Sequence, residues 1–136
     1  MAHVSRSKAS LRIIGDSLNP SEISKLLGRE GTTMYAKGEI YTIKATGRTV
    51  TRKSGHWALS ARAHEPEDID GQAKEILDQL TDDLDIWSKL SESYSCDLFC
   101  GLFLRESNEG LDIHPSTLKR LADRGISLSL DIYDGS

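Results

Sequence analysis

A chain of 136 residues and 15.0 kDa fits one domain, because two cores of half that size would not hold themselves together. Hydrophobic residues at 38% and charged residues at 28% exclude a disordered chain, and no apolar run reaches the roughly 18 residues of a membrane span. The net charge of −4 argues against a dedicated nucleic-acid binder. Residues 1–8 lack the apolar stretch of a secretory signal, so a cytoplasmic location and a disordered tail over 1–8 are expected, with a single α+β domain over 9–136.

In chain order, Ser10–Gly15 is a short apolar strand. Asn19-Pro-Ser-Glu22 opens a helix: Asn is a good N-cap, Pro suits the first helical position and Glu22 completes a capping box. Ile23, Leu26 and Leu27 form its stripe, and Gly28 supplies the left-handed stop. Residues 29–55 carry six threonines and few apolar residues. Within them, 39–45 and 48–52 flank Thr46-Gly47 as a hairpin, with a long loop as the alternative. Gly55–Ala61 is a strand with Trp57, Leu59 and Ala61 on one face. Pro66–Leu80 is a helix with Ile69, Ala73, Ile76, Leu77 and Leu80 in one stripe. A second helix carries Leu84, Trp87, Leu90 and Tyr94. The strand over 96–104 is apolar on both faces and is placed centrally in the sheet. Pro115–Arg124 is a helix stopped by Gly125. Ser127–Tyr133 alternates, with Leu128, Leu130 and Ile132 expected to face inward.

Cys96 and Cys100 lie on one strand, four residues and about 13 Å apart. A disulfide needs Cα atoms within about 7 Å, so the two are expected as small apolar fillers on one strand face. The absence of a disulfide framework also suits the cytoplasm.

A shift of 95 residues aligns two segments. Gly15 falls on Gly110, Pro20 on Pro115, Ser21 on Ser116, Ile23 on Leu118, and Leu26 on Leu121. Two strand–helix–strand units side by side predict a ferredoxin-like antiparallel sheet with helices packed on one face and an internal duplication of a βαβ unit. The hairpin at 39–53 and the helix pair at 66–94 would then be insertions between the halves.

The run Leu11-Arg-Ile-Ile-Gly15, then Leu18-Asn-Pro-Ser-Glu-Ile-Ser-Lys-Leu-Leu-Gly28, Lys37-Gly38-Glu39 and Ser54-Gly-His-Trp-Ala-Leu-Ser60 resembles the bacterial domain-of-unknown-function 4279 family. Pro115-Ser116 and the closing Leu128-Ser-Leu-Asp-Ile-Tyr133 match as well. The resemblance spans about residues 9 to 133, and its specificity lies in the order and spacing of the motifs. The family usually has an aromatic pair before the serine strand, where this chain has His56 before Trp57. The resemblance implies a small stand-alone bacterial protein with no assigned activity, in some cases in genomic neighbourhoods of toxin–immunity type. It brings no catalytic residues.

The charge is unevenly placed. Residues 29–55 hold six basic and two acidic side chains, a net +4, while 65–85 hold nine acidic ones and Lys74, a net −8. Lys and Arg interleaved with Thr and Tyr could hold an anion; the alternative is a solvated ribbon whose cations guard a strand edge. The ligand-binding candidates are Tyr35, Lys37, Arg48, Arg52, His56 and Trp57. Glu65, Glu67, Asp68 and Asp70 crowd a helix start, where the dipole favours them, or form a docking face for a basic partner. His64-Glu-Pro-Glu67 matches no metal loop, and nucleophile elbows, zinc-helix signatures and dinucleotide fingerprints are missing. No catalytic residue, metal or cofactor is therefore expected. The expected function is a non-enzymatic protein-interaction module, with an immunity-type role as what the resemblance implies; the alternative is a small-molecule or anion-binding domain using the basic Thr-rich segment 29–55. A protein partner and a homodimer are the expected assemblies.

Overall fold

The computed structural model describes residues 3–134. β1 (Arg6–Gly15) alternates strictly: Ser7, Ala9, Leu11 and Ile13 are buried, and Lys8, Ser10, Arg12 and Ile14 face the other way. α1 (Pro20–Leu27) begins where Asn19 Oδ1 accepts the Ser21 N–H at 3.1 Å, and it stops at Gly28, whose φ of 88° is left-handed. Three short strands follow: β2 (Thr33–Tyr35), β3 (Ile40–Thr42) and β4 (Thr49–Thr51). β3 and β4 form a separate two-stranded ribbon around Thr46-Gly47. Then come β5 (Gly55–Ser60), α2 (Ile69–Leu77), α3 (Leu84–Ser93), β6 (Ser95–Phe103), α4 (Pro115–Asp123) and β7 (Ser127–Tyr133).

The main sheet runs β2-β5-β1-β6-β7. Its pairs are antiparallel except the last, where β6 and β7 run parallel. The fold is α+β with a mostly antiparallel open sheet, and the ferredoxin-like duplicated arrangement is corrected in its details. α4 carries the chain from β6 straight to an adjacent parallel strand, as a helical crossover does. The chain leaving α1 instead returns through β2 and the ribbon, and lays β5 antiparallel beside β1. The 95-residue echo thus repeats a helix opening, not a strand pairing.

The four helices share one core with one face of the sheet. Ile23, Leu27, Ile69, Ile76, Trp87 and Leu121 pack with Leu11, Ile13, Trp57, Leu59, Leu98 and Leu102. No described helix contributes to the opposite face.

The structure corrects two boundaries and one expected burial. Of the tail 1–8, residues 1 and 2 lie outside the described residues; Val4 is buried with its N–H on the Gly110 carbonyl at 3.1 Å, and Ser7 is inside β1. α2 starts at Ile69 rather than Pro66, because Asp68 is its N-cap and accepts the Gly71 N–H. In β7, Leu130 and Ile132 are exposed, since β7 is the outer strand and α4 covers little beyond Leu128.

One buried polar network pins β1 to α2. Ser7 Oγ donates to Gln72 Oε1 at 2.6 Å, and Gln72 Nε2 donates to the carbonyls of Ser7 and Arg62. Both side chains are fully enclosed. Gln72→Leu takes the buried partner from the Ser7 hydroxyl proton and the Arg62 carbonyl, while the Ser7 carbonyl keeps the His64 N–H, and buried unsatisfied groups cost about 1–3 kcal/mol each. A loss of about 2 kcal/mol is expected in urea unfolding, and adding Ser7→Ala should cost less than it does alone, where it also frees the Asp68 N–H and strands Gln72. An additive double mutant would contradict the network.

Candidate functional site

The six ligand-binding candidates do not form one site. β2 pairs with β5 so that Tyr35 lies opposite His56, and their rings stack at 4.9 Å with planes 8° apart. The Arg52 guanidinium lies 3.9 Å from the Tyr35 ring centre and 3.7 Å from that of Tyr41. Tyr41, Arg52, Tyr35 and His56 form a layered clasp that ties the β3–β4 ribbon to the sheet, with cation–π attraction as the glue. The three remaining candidates lie apart from this clasp. Trp57 is on the opposite face, fully buried, its Nε1 donating to Ser24 Oγ at 3.1 Å. Strand alternation dictates this, since neighbours on a strand point to opposite faces. Lys37 pairs with Asp16 at 3.3 Å, and Arg48 is exposed at the end of the ribbon. A shallow cleft of about 290 Å³ lies beside the clasp, lined by Ile14, Tyr35, Arg52 and His56 among others.

Within the clasp, burial and the charges of Arg12 and Arg52 hold the His56 imidazolium below the usual histidine range. Its folded pKa is therefore lower than its unfolded one, near 6.5. The unfolded chain takes up the proton first, so the stability from neutral His56 is full above about pH 6.5 and is lost as pH falls from there through the folded pKa. An NMR titration should place the His56 midpoint below 6.5, and His56→Gln should flatten the stability slope in this window. A midpoint at or above 6.5 would contradict the burial argument.

The four acidic candidates have local roles. Glu65 pairs with Arg6 at 3.7 Å, and Glu67 Oε1 accepts the Ile69 N–H. Asp68 caps α2, and Asp70 accepts the His114 N–H at 3.1 Å. Glu67, Asp68 and Asp70 sit at the capped start of α2, where the dipole and free N–H groups favour carboxylates, and Glu65 lies before it in its ion pair with Arg6. His114 holds the N-cap position of α4, and its side chain accepts no capping hydrogen bond.

The face of the sheet away from the helices carries a second set of ordered side chains. At its centre Arg12 meets Asp97 in a two-point pair at 2.9 and 2.6 Å, and Ser129 donates to Asp97 at 2.9 Å. Burial alone would raise the Asp97 pKa; the Arg12 and Ser129 hydrogen bonds outweigh it and hold the carboxyl below its usual range. The Arg12 guanidinium also stacks on Phe99 at 4.2 Å. Toward β7, Phe103 and Tyr133 stack at 4.7 Å, with Arg6 and Lys8 over the Phe103 ring. Between these groups runs a groove of about 410 Å³ whose lining includes Lys8, Ser10, Ser60, Ala63, Phe99 and Gly101.

The profile of the family described as domain of unknown function (DUF4279) matches residues 5–135. The chain belongs to this family. No curated protein and no solved structure matches it.

In this DUF4279 chain the groove residues escaped sequence reading because Lys8, Arg12, Phe99 and Phe103 sit on two strands 85 or more positions apart. The signal was the alternation of β1 itself, which puts Lys8, Ser10 and Arg12 opposite an apolar row. Phe99 and Phe103 read as a second buried face; they are half-exposed instead. Cys96 and Cys100 are buried and unpaired, with burial pushing their thiols up to about 11 and about 12. Such thiols are poor nucleophiles. Among the described residues, no three His, Cys, Asp or Glu side chains come together to hold a metal ion, and no helix is long and apolar enough to cross a membrane.

Proposed function

We propose that this domain is a non-enzymatic protein-interaction module, and that it docks its partner on the open face of the sheet. The observation that carries this reading is the composition of that face over β1, β6 and β7, away from the end that the β3–β4 ribbon clasps: arginine, lysine, phenylalanine and tyrosine, ordered by stacking along an open groove. Arg and aromatic side chains are the usual anchors of interface energy, and pre-stacked rings lose little freedom on binding. Arg6 and Arg12 are held by Glu65 and Asp97, which leaves Lys8 beside the rings to meet an acidic group on a partner that also supplies apolar anchors. Buried inert thiols suit a reducing, cytoplasmic setting.

This reading moves the docking surface away from residues 65–70, whose carboxylates already serve caps and ion pairs. An immunity-type role, implied by the family resemblance, would use the sheet face in the same way. The anion-binding alternative draws less support, because Lys37 and Arg52 are already engaged by Asp16 and by two tyrosine rings. The test is affinity capture from the native host with three baits. Wild type and Glu65→Lys should enrich the same protein, and Lys8→Glu with Phe99→Thr should lose it. Loss with Glu65→Lys alone would return the docking surface to the acidic segment.

A further inference from the structure

We infer that two copies of this chain join through β7, in antiparallel register about a twofold axis at Leu130. β7 is an outer strand of seven residues, free of Pro, Lys and bulges, the devices that usually blunt an edge. The Tyr133 carbonyl accepts the Leu104 N–H at 3.0 Å, so Tyr133 turns its backbone groups toward β6. By alternation Ser127, Ser129 and Asp131 do the same, and Leu128, Leu130 and Ile132 turn theirs outward. Those outward groups have no partner among the described residues.

The side chains point to the same surface. Leu130 lies beside Cys100 and Ile132 beside Leu102, both core residues, so the core layer continues onto β7. There it is left uncovered, with Leu130 at 47% and Ile132 at 59% exposure. A second copy in antiparallel register about Leu130 places Leu130 opposite Leu130 of the partner strand, and Ile132 opposite its Leu128. This register pairs all the outward backbone groups of both strands, which sliding the strands by two residues would not. It sets Asp131 opposite a serine rather than a second carboxylate, and so avoids the like-charge contact that destabilises cross-strand pairs. The contact is isologous and closed, and one continuous sheet results. The inference rests on the strand edge and not on the open face, so each can fail alone.

Sedimentation of the wild-type chain over a dilution series should give twice the 15.0 kDa of one chain, and Leu130→Lys should give one chain with an unchanged circular-dichroism spectrum. Register is read by thiol crosslinking. Leu130→Cys lies on the axis, where facing Cα atoms are about 5.5 Å apart, and should crosslink to itself; Leu128→Cys, about 13 Å from its symmetry mate, should not. A single-chain mass for wild type with no Leu130→Cys crosslink would overturn the inference, as would a dimer that survives Leu130→Lys.

Discussion

Replacing Trp57 with alanine is expected to destabilise the fold by about 3–5 kcal/mol, the range for truncating a buried tryptophan. The side chain is fully enclosed, spans from β5 to α1, and satisfies its N–H on Ser24. Gly31 fits close against the ring, since a Cβ there would stand 3.1 Å from Trp57 Nε1. Truncation leaves a cavity lined by strand and helix atoms that cannot collapse together, and strands Ser24 without its indole partner. Against a typical total of about 5–15 kcal/mol, this is a large share. Urea unfolding should show a much lower midpoint with an unchanged slope. Tyr35→Ala, on the other face of the same strand pair, should lose less than about 1 kcal/mol. Comparable losses for the two would contradict the assignment of Trp57 to the core and Tyr35 to the surface.

That contrast shows how far the sequence could be read. Alternation along 55–61 put Trp57, Leu59 and the core on one side and His56 on the other, and the structure keeps that separation. What brings Tyr35 to His56 is β2, three residues long, whose pairing has no local pattern strong enough to announce it. The starts of α1 and α4 were legible because each has Pro at the first helical position, and at α1 Asn19 adds a cap, a local hydrogen-bonding problem with few solutions. Sheet order was not, because both strand–helix–strand segments have the same pattern, and whether the return is parallel depends on the length and path of the connection. The same limit hid the open face. Lys8 and Phe99 meet only when β1 and β6 pair, and an aromatic row on an uncovered sheet face looks, in sequence, like an aromatic row in a core.

The second large effect concerns binding. Phe99 and Lys8 both line the groove, and truncating an interface anchor typically costs about 2 kcal/mol or more. The pair Lys8→Glu with Phe99→Thr should therefore weaken partner binding by about a hundredfold or more, since each 1.4 kcal/mol is tenfold. Both side chains leave the helix-side core untouched, so the variant should unfold within about 1 kcal/mol of wild type. Lost binding with intact stability separates a working surface from a structural one. If stability fell as far as with Trp57→Ala, the open face would belong to the scaffold.

The most direct measurement is site-specific photocrosslinking in the native host. A photoreactive phenylalanine analogue placed at Phe99 probes the groove, and one placed at Glu67 probes the acidic turn before α2. A partner docked on the open face gives one discrete protein adduct from position 99 and none from position 67. An adduct from position 67 with none from position 99 would contradict it.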